Sequence, residues 1–97
     1  MTPFLFTKHD ELAKAIETKF GPVQRRHRFT RALLSAEIPN GSPVWGNLPV
    51  PAAQMICAAG CQYFHVIIPN LWDPDAFTYE SLLRNVILRP YNVELVR

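Results

Sequence analysis

Residues 21–37 read GPVQRRHRFTRALLSAE, and the fold turns on whether this stretch is helix or strand. Read as a helix, Phe29, Ala32, Leu33 and Ala36 fall at i, i+3, i+4 and i+7, one apolar stripe. Pro22 serves as its first residue, because proline's missing N–H costs nothing there. The residues from Arg25 to Glu37 also have good helix propensity. Read as a strand, the segment lacks alternation, since Ala32-Leu33-Leu34 is a run and not a period of two. The sequence therefore favours a helix over 23–36.

The flanks are read from that helix outward. Upstream, Leu12, Ala13, Ile16 and Phe20 make one apolar face, and Gly21-Pro22 ends it, which predicts a helix over 8–20. Thr7 is placed to cap it, with Asp10 and Glu11 in the first turn and Lys19 in the last. The PFLF of residues 3–6 reads as a short edge strand. Downstream, residues 39–51 hold four of the nine prolines, a density that predicts a long loop pinned by Val44, Trp45, Leu48 and Val50. Pro51 and Gly60 bracket a short helix over 51–59, apolar nearly all round and expected to be buried. The aromatic and β-branched run at 62–68 reads as a central strand. Asp73-Pro74 starts a helix predicted over 74–88, and Pro90 stops it. Alternation then predicts a strand over 91–96. A helix between two strands implies a crossover joining parallel neighbours. The expected whole is a single α+β domain, 1–97, with helices covering a small sheet.

Composition narrows the class. The chain has 97 residues, 48% of them hydrophobic, and a net charge of +2. Its longest apolar runs are too short to span a membrane, and the first residues lack the basic and apolar regions of a secretory signal. Two cysteines make no disulfide framework, so a cytoplasmic setting with reduced thiols is expected and no membrane partner.

Four of the ten Lys/Arg lie between residues 25 and 31, with no acid among them. On a second helix after a tight turn, Gln24, Arg25, Arg26, His27, Arg28, Thr30 and Arg31 would occupy or flank the turns that a recognition helix presents to bases and phosphates. Arginines without nearby acids neutralise phosphates and release counterions. The leading expectation is a small regulatory or accessory protein that binds nucleic acid or a nucleoprotein complex. The alternative is a protein–protein inhibitor or adaptor, with Trp45 and Trp72 on loops and the arginines at the interface. Cys57, Cys61 and His65 recur every four residues, but Gly60 and the strand after it break the face they would share, so no metal site is expected. No nucleophile elbow or phosphate loop is present, and no histidine has a partner nearby in sequence. No catalytic residue and no cofactor are expected.

Overall fold

Gln24, Arg25 and Arg26 form a strand. In the computed structural model, which describes residues 2–91, the deciding stretch divides into a three-residue strand, a short loop and a seven-residue helix. The full order is β1 (Phe4–Phe6), α1 (Asp10–Phe20), β2 (Gln24–Arg26), α2 (Arg31–Glu37), β3 (Pro43–Gly46), α3 (Val50–Ala58), β4 (Gln62–Ile67), α4 (Tyr79–Asn85) and β5 (Ile87–Tyr91). The strands make one sheet in the order β2-β1-β3-β4-β5, parallel except for β5. This is the expected α+β architecture as one domain, with a mixed sheet between two layers of helix.

Alternation along the strands sorts the core. Leu5 and Val66 point to one face, where they meet Leu12, Ala15 and Ile16 of α1 and Leu82 of α4. Phe4, Phe6, Val44 and Tyr63 point to the other, where they meet Leu33 and Leu34 of α2 and Ala53 and Ile56 of α3. Full burial of a Leu or Ile side chain stabilises by about 1.5–3 kcal/mol. These two clusters are therefore what holds helices of seven to eleven residues, too short to persist alone. α1 and α4 are also tied by polar contacts. Lys19 Nζ donates to the Val86 carbonyl (3.0 Å), and Tyr79 Oη to Thr18 Oγ1 (3.0 Å).

Several expectations are corrected. The 23–36 helix fails because the cap is Thr30, whose Oγ1 accepts from the Leu33 amide (3.0 Å) and starts α2 there. Of the expected stripe, Phe29 packs on the core from the loop before α2 and Leu33 from the helix, whereas Ala32 and Ala36 are exposed. PFLF is not an edge strand: β1 is hydrogen-bonded on both sides. α1 begins at Asp10 because Thr7 Oγ1 accepts from the His9 amide (3.1 Å) instead of capping the helix. The proline-rich loop contains β3, with Pro43 at its first position, where a strand tolerates it. α3 buries one side only, and Val50 at its start is exposed.

The helix over 74–88 shrinks to α4. Asp73 Oδ1 accepts from the Asp75 amide (2.9 Å), and this Asx turn replaces the first helical turns. Thr78 then caps. β5 starts after one residue, Val86, and its register opposes Ile87 to Ile67, so it runs antiparallel to β4. The expected parallel crossover is therefore absent: the chain returns at the end where β4 finished. Of the strand predicted over 91–96, Tyr91 closes β5 and the rest lies outside the described residues.

Candidate functional site

β1 has β2 on one side and β3 on the other, so the chain leaves the carboxyl end of the sheet in opposite directions at this point. Open sheets of this kind form a crevice there, outside the carboxyl ends of the strands. In this protein the crevice has a volume of about 340 Å³. Its polar lining is Thr7, Lys8, His9 and Asn47, and its apolar lining includes Leu12, Val66, Ile68 and Phe77. No acidic side chain among the described residues lines it. The His9 and Phe77 rings pack with centroids 4.9 Å apart and tilted by 39°, forming one wall. Lys8, His9 and Asn47 are exposed and form the rim, whereas Thr7 is buried beneath them.

The next connection joins this rim. The Phe6–Arg26 register and the bond from the Thr7 amide to the Arg26 carbonyl (3.0 Å) set the ends of β1 and β2 side by side. Lys8-His9 and His27-Arg28 therefore leave the sheet from neighbouring strands. His27 also lies close enough to Asp10 for its charge to act on that carboxyl.

The strand divides the arginine cluster. Arg25 points to the α1 face, where Nη1 donates to Asp10 Oδ1 (2.7 Å) and Nε to the Thr7 carbonyl (3.3 Å). The hydrogen bond from Arg25, then its charge, holds the Asp10 carboxyl below the usual carboxylate range. Arg26 points to the opposite face. Its Nε and Nη2 donate to Glu37 Oε1 (3.2 and 3.0 Å), and its guanidinium lies over the Phe4 ring at 5.5 Å. Gln24 Nε2 donates to the Thr2 carbonyl (3.1 Å) at the other end of β2. Thr30 is occupied as the α2 cap. His27, Arg28 and Arg31 are exposed, and none makes an ion pair among the described residues. Arg31 also lines a shallow groove against Pro51 of α3.

The two tryptophans separate as well. Trp45 is a strand residue, half-buried on the α1 face, with Phe20 edge-on at 6.0 Å. Trp72 is 83% exposed in the turns after β4, beside Leu71 at 56%.

The cysteine–histidine spacing does not converge. Cys57 Sγ donates to the Tyr91 carbonyl (3.8 Å) and Cys61 Sγ to the Pro39 carbonyl (3.6 Å). His65 Nδ1 meets Tyr63 Oη at 2.9 Å. Among the described residues no three His, Cys, Asp or Glu side chains gather as a metal site. A larger groove, about 650 Å³, runs along Cys61, Tyr63 and Pro90 to Tyr91, the last described residue, and no charged side chain among the described residues lines it.

Lys8, Asn47 and Phe77 were not singled out by sequence, and His9 had no partner nearby there. Their signal is positional: each follows a strand at the carboxyl end of the sheet or folds back over it. No protein-family model, curated protein or solved structure significantly matches this chain.

Proposed function

We propose that this chain is a non-enzymatic accessory protein that docks on nucleic acid, free or in a nucleoprotein complex. Its cations at the carboxyl end of the sheet would make the contact. The observation that carries the reading is the division of the arginine cluster. Arg25 and Arg26 each hold an acid, whereas Arg28 and Arg31 are exposed and unpaired among the described residues. Lys8 and His27 stand on the same end. A recognition helix is not the device, because Gln24–Arg26 is an edge strand. Docking is to phosphate, with Arg28, Arg31 and Lys8 as point contacts and His27 as a directional donor. Such contacts position a ligand without reading its sequence.

The test is fluorescence anisotropy with labelled DNA and RNA across a salt series. Arg28→Ala and Arg31→Ala are the variants of choice. Arg25 and Arg26 are unsuitable, since changing either breaks an ion pair of the fold. Affinity is expected to fall steeply with salt, and each substitution to lower the slope by about 0.7–0.9. No binding at low salt would overturn the reading.

A second reading rests on Trp72 and Leu71, exposed side by side. An inhibitor or adaptor would use them as anchors for a protein partner. Binding that survives high salt but is lost in Trp72→Ala would favour it.

A further inference from the structure

The crevice between β1 and β3 carries more than charge. Its interior, with Leu12, Val66 and Ile68, is apolar apart from the buried Thr7, and Lys8, His9 and Asn47 sit at the rim. Lys8 makes the rim cationic, and no acidic side chain among the described residues lines the crevice. The exposed Phe77 ring, backed by His9, offers a π-face at the mouth. The Asn47 amide, exposed at the end of β3, can donate and accept toward the edge of a planar ring. At about 340 Å³ the space lies at the small end of ligand sites, enough for one ring system. A duplex offers no ring that enters such a space, because its bases are stacked and paired.

We infer that the crevice receives one unpaired base of a single-stranded nucleic acid. The base stacks on Phe77, and the flanking phosphates rest on Lys8 and the cations after β2. The inference rests on the phosphate-docking reading and adds a preference for single strands to it. Stacking on an aromatic side chain tolerates any base, so affinity follows strandedness and not sequence.

The experiment compares three labelled DNA probes of one length with the full chain: a single strand, the same strand with abasic sites throughout, and a blunt duplex. Each is titrated against wild type, Phe77→Leu, Asn47→Ala and Arg28→Ala/Arg31→Ala, with circular dichroism confirming the fold. Phe77→Leu keeps an apolar wall but removes the π-face. The intact strand is expected to bind about tenfold tighter than the abasic strand. Phe77→Leu should remove most of that difference while leaving abasic binding unchanged. Equal binding of intact and abasic strands, with a steep salt slope and a loss in Arg28→Ala/Arg31→Ala, would overturn the base pocket alone. Duplex binding tighter than the intact strand would do the same. No salt slope and no effect of Arg28→Ala/Arg31→Ala would overturn phosphate docking itself.

Discussion

Tyr63→Phe removes one oxygen from a residue that is 2% exposed. That oxygen donates to the Gly46 carbonyl (2.8 Å), accepts from the Leu48 amide (2.9 Å) and meets His65 Nδ1 at 2.9 Å. Burial pushes the phenol pKa up, only partly countered by the Leu48 amide, so the proton stays on the oxygen. With that proton on Gly46, His65 presents Nδ1–H as the donor. The hydroxyl thus pins the connection that leaves β3 and carries Asn47. Each bond contributes about 1 kcal/mol net, and the Gly46 carbonyl is buried. Losing all three is expected to cost about 2–3 kcal/mol. For a domain of this size that lowers Tm by roughly 10–20 °C. Urea unfolding reads the loss as a lower midpoint at unchanged m-value. Hydrogen exchange adds a local readout: the Leu48 amide should lose its protection while Val66, in β4, keeps most of its own. A loss below about 0.5 kcal/mol would refute the reasoning, since it falls short of even one bond. So would unchanged protection at Leu48.

Three further outcomes are expected. A Cβ on Gly46 would meet the Phe6 carbonyl at 3.3 Å and Leu48 Cγ at 3.4 Å, so Gly46→Ala should destabilise by about 1 kcal/mol in the same urea assay. Asp10 has its carboxyl pKa lowered by Arg25, so its contribution is present above the unfolded carboxylate pKa and is lost as pH falls through the folded value. The Tm difference between wild type and Asp10→Asn should therefore shrink on acidification from neutral pH to about pH 3, and a constant difference would contradict the pairing. Desolvation lowers the His65 pKa, so the unfolded chain takes up a proton first. Stability should then be full above about pH 6.5 and decline as pH falls below it. His65→Gln should flatten that slope in thermal melts.

The sequence was most legible where local chemistry and tertiary demand agree. The stripe of Leu12, Ala13 and Ile16 with Gly21-Pro22 after it defines α1, and Pro51 with Gly60 brackets α3. β4 was visible because four of its six residues, Tyr63, Phe64, Val66 and Ile67, are aromatic or β-branched. β2 was not, because three residues are too few to show a period of two and all three are polar. Its place in the sheet comes from pairing with β1, which no local pattern encodes. β3 was hidden by its prolines, although they stand at its first position and beyond its end. For the site, the concentration of cations was legible, but their availability was not. Asp10 and Glu37 lie 15 and 11 residues from their arginines, and only the folded chain shows which charges they take. Lys8 and Asn47 gained meaning only once β1 proved to be the strand where the winding reverses.

The outer edge of the sheet has a consequence for how copies of this chain meet. β2 pairs with β1 through Gln24 and Arg26, which turns the backbone of Arg25 outward. Arg26 folds its own Nη1 onto the Arg25 carbonyl (3.0 Å), so this outward acceptor is already filled. At the far edge, Pro90 removes one N–H from β5. Strand edges that are short, charged or interrupted by proline do not template pairing with another chain. The Arg26 side chain is thereby accounted for as a guard against fibrous growth at this edge, acting through main-chain hydrogen bonding. Copies of this chain can stand at high local density without their sheets joining edge to edge through β2.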